Sequence, residues 1–187
     1  MKNKNTNFLD LPGTVSNNTN STRSSKKIIR VLGIDPGLAN TGYGIVDFCN
    51  GRYRMVNYGS ITTTTDISHQ DRLLAIYNRL ALLIDEYKPD YACLEALYFS
   101  KNAKSALKVS EARGVVFLCF AQNCIPINEY TPNEIKKAVT GNTTADKNLV
   151  QTFVKLLLGL NEMPQPDHAA DALACAITHI HSVSYRL

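Results

Sequence analysis

The chain has 187 residues, of which 44% are apolar and 19% charged, which is enough for one domain with a sizeable core. This composition excludes a wholly disordered chain, and no apolar run approaches the ~20 residues that a membrane span requires. The net charge of +4 lies entirely within residues 1–27, because residues 28–187 hold fifteen basic and fifteen acidic side chains. Any basic site on the folded part must therefore come from local clustering.

Residues 1–27 are rich in Asn, Ser, Thr and Lys and have almost no apolar side chain after Val15. Such a segment cannot bury enough surface to offset its ordering entropy, so we expect a disordered basic tail. It has no continuous apolar stretch of the kind that a secretory signal needs. Its Ser/Thr content leaves an organelle transit peptide as a minor alternative. The five cysteines form no C-x-x-C pair, which favours free thiols in a reducing cytosol.

From residue 28 onward the apolar pattern predicts a single α/β domain that extends to residue 187. The Asn50-Gly51 pair is typical of a hairpin turn between the second and third strands. Three consecutive strands followed by alternating helices and strands indicate a mixed five-stranded sheet flanked by helices. The predicted strands are 28–34, 43–48, 53–63, 91–95 and 125–130, and the predicted helices are 70–87, 102–122, 146–158 and 167–183.

Three acidic residues end or interrupt apolar segments: Asp35, Glu95 and Asp171. Asp35 and Glu95 each close a predicted strand, although both are also ordinary turn or loop residues. If those two strands are neighbours, the two carboxylates end side by side at the edge where open α/β sheets bind ligands. Carboxylates gathered without a lysine partner would repel one another, and a hard divalent cation such as Mg²⁺ resolves that repulsion. Two such ions can activate a water and stabilise the leaving oxygen of a phosphodiester.

The last predicted helix begins with Asp167-His168 and is otherwise small and apolar around Asp171. Asp167 directly precedes this helix and can cap its N-terminus. His168 and Asp171 are three residues apart and share a face of the helix. A helix this rich in alanine can lie close against a sheet, which would bring that face to the strand ends. A histidine near a helix start can equally be a solvated group.

Basic side chains are concentrated between residues 101 and 155, although solvated helix faces have the same pattern. Tyr98 and Phe99 precede this region in the loop after Glu95, and exposed aromatic rings beside lysines suit stacking on unpaired bases. The basic residues are Lys101, Lys104, Lys108, Arg113, Lys136, Lys137, Lys147 and Lys155.

An ordered set of short motifs resembles the RuvC family of bacterial Holliday-junction resolvases over roughly residues 28–182. The matching segments are Leu32-Gly33-Ile34-Asp35-Pro36-Gly37, Thr41-Gly42-Tyr43-Gly44, Glu95, Lys101-Asn102-Ala103, Ser105-Ala106-Leu107-Lys108, Ala112-Arg113-Gly114, Glu129-Tyr130, Lys136, Lys147 and Asp171-Ala172-Leu173-Ala174.

The resemblance implies an RNase H-like fold and a homodimer in the bacterial cytoplasm that nicks four-way DNA junctions symmetrically. It implies a requirement for Mg²⁺ or Mn²⁺, with two ions in each active site, and a branch-migration motor as partner. The family's four catalytic, metal-holding positions fall on Asp35, Glu95, His168 and Asp171. Since the third is often aspartate in the family, either Asp167 or His168 could fill it.

For contacts with DNA, the resemblance places the junction-inserting aromatic on Tyr98 and contacting lysines on Lys136 and Lys147. We also expect DNA contacts from Phe99, Lys101, Lys104, Lys108 and Arg113.

Two other functions fit parts of the sequence. A phosphotransferase of the actin and sugar-kinase class has a similar glycine-rich turn after its first strand, but such proteins are longer and have two domains. A non-catalytic nucleic-acid-binding module of the same fold predicts the loss of at least one acid, whereas all three are present.

Overall fold

The computed structural model describes residues 28–96 and 103–184, with side chains from residue 106 onward in the second segment. The predicted tail, Tyr98, Phe99, Lys101 and the side chain of Lys104 therefore lie outside the described residues. Among the described helices, none is long and apolar enough to cross a membrane. The elements are β1 (Ile29–Asp35), β2 (Asn40–Cys49), β3 (Arg52–Thr62), α1 (His69–Tyr87), β4 (Tyr91–Glu95), α2 (Ala103–Gln122), β5 (Ile127–Tyr130), α3 (Pro132–Thr140), α4 (Lys147–Leu158) and α5 (Asp167–Ser184).

The five strands form one mixed sheet in the order β3-β2-β1-β4-β5, which confirms the predicted fold class. β1 pairs antiparallel with β2 and parallel with β4, and Ile34 lies opposite Leu94 in the parallel pair. Asp35 and Glu95 therefore end neighbouring strands, which meets the condition on which the sequence-based expectation of adjacent carboxylates depended. Asn50 and Gly51 turn the chain between β2 and β3 with positive φ angles of 56° and 74°, the backbone that such a hairpin requires.

The sheet separates two apolar layers, because alternate side chains of each strand face opposite sides. Val31 packs with α3, α4 and α5, whereas Leu32 and Ile34 pack with α1 and α2. By the same alternation, Asp35 and Glu95 belong to the α5 side of their strands. Cys93, Cys119 and Cys175 are buried free thiols, in line with the prediction.

α5 lies very close to the sheet because glycines stand beneath its alanines. A Cβ added at Gly33 would lie only 2.0 Å from the backbone oxygen of Ala172. At Gly44 an added Cβ would lie 2.7 Å from the side chain of Leu173. The prediction of an alanine-rich helix against the strands is therefore confirmed, and glycines on β1 and β2 are the reason.

The helix α3 is absent from the sequence-based prediction, although its signals are present in the chain. Thr131 and Glu134 form a reciprocal capping box, with Pro132 between them, and Gly141 ends the helix with φ of 75°. The predicted helix over 146–158 corresponds to α4, for which Asp146 is the N-cap. β5 begins at Ile127 rather than at residue 125.

Candidate active site

Three carboxylates meet at the carboxyl edge of the sheet. Asp35 and Glu95 come from the ends of β1 and β4, and Asp171 comes from the second turn of α5. Burial raises the pKa of Glu95, and the charges of Asp35 and Asp171 raise it further. Burial also raises the pKa of Asp35, although a hydrogen bond with His168 opposes that shift. The three acids therefore interact electrostatically, as expected for a site built to receive a cation.

His168 contacts Asp35 directly, with 2.6 Å between Nδ1 of the imidazole and Oδ2 of the carboxylate. The imidazole is 47% exposed and Asp35 is 23% exposed, so the pair lies at the surface of the site. β2 permits this contact because Gly42 lies beneath the start of α5. A Cβ at Gly42 would lie 2.0 Å from the backbone oxygen of His168, so a larger residue would displace it.

Lys147, the first residue of α4, joins the acids of α5. Its Nζ lies 3.3 Å from Oδ2 of Asp171 and 3.0 Å from Oδ2 of Asp167. Burial lowers the pKa of Lys147, but the bonds to Asp167 and Asp171 outweigh that effect and the net shift is upward. Asp171 thus has a lysine partner, so the condition of carboxylates gathered without a lysine does not hold for it. The resemblance places a DNA contact on Lys147, and nothing in the sequence predicts its position beside Asp171.

Asp167 is the first residue of α5 and its side chain bonds to α4 instead of capping its own helix, so the capping prediction is wrong. Nε2 of Gln151 donates to its Oδ1 at 3.2 Å, and Lys147 bonds its other oxygen. Lys147 and then Gln151 lower the pKa of Asp167, which is 58% exposed. Of the two neighbouring candidates for the fourth position, His168 is the one that contacts Asp35.

Two adjoining cavities open onto these residues. One, of about 250 Å³, is lined by Glu95, Asp171, Lys136 and Lys147. The other, also about 250 Å³, is lined by Asp35, Glu95 and Arg113. Glu95 lines both cavities, so they adjoin at this carboxylate, and Lys136 and Lys147 line one of them.

The donor chemistry of the site fits a hard divalent cation. Carboxylate oxygens are the ligands that Mg²⁺ prefers. Burial is the main cause of the raised pKa of both Asp35 and Glu95, and the charge of Asp171 adds to both shifts. Within residues 28–96 and 103–184, no group of three or more His, Cys, Asp or Glu is already arranged to hold a metal ion. A cation bound at Asp171 would compete with Lys147 for this carboxylate.

The predicted DNA-contacting residues differ in their placement. Lys136 and Lys147 line the same cavity, and Lys108 is exposed on α2. Arg113 is only 12% exposed, and it donates to the backbone oxygen of Glu95 at 2.6 Å and to Glu129 at 2.7 Å. With its guanidinium engaged by the protein, Arg113 is better placed to hold the end of β4 than to contact DNA. The sequence analysis did not identify Glu129 as its partner.

Sheet order and site geometry together define an RNase H-like nuclease. The family model of the crossover junction endodeoxyribonuclease RuvC matches residues 31–179. The RuvC protein of Treponema denticola is 58% identical over 160 residues, which are 84% of this chain and 90% of that protein. The RuvC of Treponema pallidum is 48% identical over 158 residues, covering 84% and 81% of the two chains.

Among solved structures, Thermus thermophilus RuvC in complex with Holliday junction substrate superposes with a TM-score of 0.81 at 30% identity. That match covers 84% of this chain and 96% of the other. The yeast mitochondrial Holliday junction resolvase shares the fold, with a TM-score of 0.60 at 14% identity over 80% and 77% of the chains. The chain belongs to the RuvC family, and it is a crossover junction endodeoxyribonuclease that acts in recombination and repair by resolving Holliday junctions. This membership excludes the phosphotransferase alternative and the non-catalytic one.

Proposed function

We propose that this chain resolves four-way junctions by paired symmetric nicks, through divalent-metal-dependent hydrolysis at Asp35, Glu95, His168 and Asp171. The observation that carries the proposal is the convergence of three interacting carboxylates and one imidazole at the edge of the sheet. A simpler explanation, that these are solvated loop residues, does not account for the burial that raises the pKa of both Asp35 and Glu95.

Asp35, Glu95, Asp171 and His168 would hold Mg²⁺ or Mn²⁺, with two ions in each site. Bound there, the ions would activate a water and stabilise the charge on the phosphodiester oxygens. In its neutral form, His168 donates Nδ1–H to Asp35, which leaves Nε2 as the ring's acceptor. The same hydrogen bond fixes the orientation of the Asp35 carboxylate. Lys147 offsets the charge of Asp171 and lies beside the cavity where a phosphate would approach.

We further propose that the chain acts as a homodimer. A four-way junction has approximate two-fold symmetry, and paired nicks at equivalent positions need two active sites related by a two-fold axis. Each chain supplies one such site. A branch-migration motor as partner is proposed from the family resemblance. The bacterial origin of the relatives and the buried thiols support a cytoplasmic site of action.

The test uses a synthetic four-way junction with each strand labelled in turn, incubated with the full chain in Mg²⁺, in Mn²⁺ or in EDTA. We expect nicks at symmetric positions on two opposing strands in either metal and none in EDTA. A linear duplex of the same sequence is the control and should stay intact. Nicks in EDTA would refute metal dependence, and nicks confined to one strand would refute the paired mechanism.

A further inference from the structure

A third cavity adjoins the one that Asp35 lines. It measures about 390 Å³ and shares Val109 with the cavity that Asp35 lines. Its lining also includes His168, the residue that contacts Asp35. The cavity lined by Asp35 and Glu95 therefore adjoins the other two, since it shares Glu95 with one and Val109 with the other.

The charge of this third cavity is positive. Its described lining contains Arg72, Lys108 and His168 and no acidic side chain. The rest of the lining comes from residues 37–40, where the chain passes from β1 into β2, and from Thr65 and Val109. Cations thus line both cavities that adjoin the one lined by Asp35 and Glu95, with Lys136 and Lys147 in one and Arg72 and Lys108 in the other.

Arg72 is the unusual residue of this cavity, because it is only 9% exposed and has no carboxylate partner among the described residues. Its Nε donates to the hydroxyl of Thr63 at 2.9 Å, and its Nη2 lies 3.4 Å from the backbone oxygen of Thr63. Within the described part of the chain, no acceptor meets Nη1. Nη1 is not buried away from solvent without a partner, so its N–H groups can meet an anion that enters the cavity.

We propose that Arg72 and Lys108 seat a phosphate of the cleaved strand, the one next to the scissile phosphate on the side away from Lys136 and Lys147. The ligand class is a phosphodiester anion, which a guanidinium can bind with two parallel hydrogen bonds. The proposal rests on the proposed function, since it assumes that a DNA strand crosses the carboxylates. It gives the strand two phosphate contacts in line with the reaction centre, which fixes the scissile phosphate between them.

The test replaces single phosphates of the junction by neutral methylphosphonates, on each side of the mapped scissile position. For each, the ratio of nicking rates between the unmodified and the modified junction measures how much the enzyme uses that phosphate. The wild-type enzyme should lose about ten- to a hundredfold when the phosphate in the Arg72 cavity is neutralised. In Lys108→Ala and Arg72→Gln, neutralising the phosphate in the Arg72 cavity should slow nicking much less than in the wild type. Neutralising the phosphate on the opposite side of the scissile position should slow nicking as much as in the wild type.

Arg79→Ala is the matched control, because Arg79 is exposed on the same helix as Arg72 and does not line the cavity. It should keep the wild-type response at every position. Junction affinity in EDTA provides a second readout, and its salt dependence should flatten by about one counterion for Lys108→Ala. Lys108 is exposed, so this variant remains informative if Arg72→Gln is poorly folded.

Two results separate the possible failures. If both variants retain full sensitivity at every phosphate while the unmodified junction is nicked, Arg72 only ties α1 to the segment after β3 and the phosphate seat is refuted. If the wild-type enzyme does not nick the unmodified junction in metal, the proposed function fails instead.

Discussion

At the scale of single residues, the site brings together the carboxylates of Asp35, Glu95 and Asp171, whose mutual repulsion destabilises the folded chain when no cation is bound. Burial, Asp35 and Asp171 raise the pKa of Glu95 above its ordinary value of 4.5, so the folded state binds a proton more readily than the unfolded chain does. The contribution of protonated Glu95 to the stability of the fold is therefore present below about pH 4.5, and it is lost as the pH rises through the raised pKa of this carboxyl group. At neutral pH the ionised Glu95 opposes folding.

We therefore expect Glu95→Gln to raise the melting temperature of the metal-free protein at neutral pH and to abolish nicking. The difference in melting temperature between Glu95→Gln and the wild type should shrink as the pH falls toward 4, because the wild-type carboxylate also becomes neutral there. Adding Mn²⁺ should stabilise the wild type more than the variant, because the ion compensates the carboxylate charge. Thermal unfolding in EDTA and in Mn²⁺ across this pH range is the measurement, and a variant less stable than wild type in EDTA at neutral pH would contradict it.

By the family resemblance, His168 stands at a position where aspartate is expected to be common. His168→Ala should lose most of its nicking, because it removes both the proposed ligand and the contact that orients Asp35. His168→Asp should keep much of it and shift the preference from Mn²⁺ toward Mg²⁺, since carboxylate is a harder ligand than imidazole. Nicking rates of both variants in the two metals test this, and full activity of His168→Ala in either metal would remove His168 from the site.

At the scale of elements, the position of α5 determines whether His168 and Asp171 reach the strand ends. The alanine-rich sequence of α5 predicts that this helix packs closely against the sheet. That glycines on β2 permit this packing can be seen only when the register of β2 is known. Helix α3 illustrates the opposite case. Thr131 and Glu134 have the spacing of a capping box, which is a local sequence signal for the start of this helix.

Two glycines on β2 allow the role of α5 to be tested. Gly42→Ala should displace the start of α5 and lower nicking sharply, because the added methyl group would overlap the backbone of His168. Gly44→Ala meets Leu173 farther along the helix and should mainly reduce stability, by about 1–3 kcal/mol. The measurement compares nicking rates well below each melting temperature. Equal loss of nicking in the two variants would show that the local contact at His168 is unimportant.

At the scale of the whole molecule, the mixed five-stranded sheet could be predicted from the strand pattern, whereas the proximity of Asp35 and Glu95 could be predicted only on the condition that β1 and β4 are neighbours. The contact of Lys147 with Asp171 and the engagement of Arg113 could not, because both depend on how helices α2 and α4 are placed. The family match begins at residue 31 and leaves the basic N-terminal segment outside it.

Deletion of residues 2–27 should therefore leave folding and junction cleavage intact. Removing five basic and one acidic side chain should weaken nonspecific DNA binding and flatten its salt dependence, by at most about four counterions. Affinity for a linear duplex measured over a range of salt concentrations tests this expectation. A truncated protein that fails to fold or to nick would show that the segment is part of the functional structure.

The most direct test of the proposed site compares Asp171→Asn with Asp167→Asn, two isosteric changes one helical turn apart that touch the same lysine. Nicking of a four-way junction in Mg²⁺ is measured beside junction affinity in EDTA. We expect Asp171→Asn to bind the junction at least as tightly as wild type without cutting it, and Asp167→Asn to cut within tenfold of the wild-type rate. Nicking by Asp171→Asn within tenfold of wild type would contradict the assignment of the carboxylate centre.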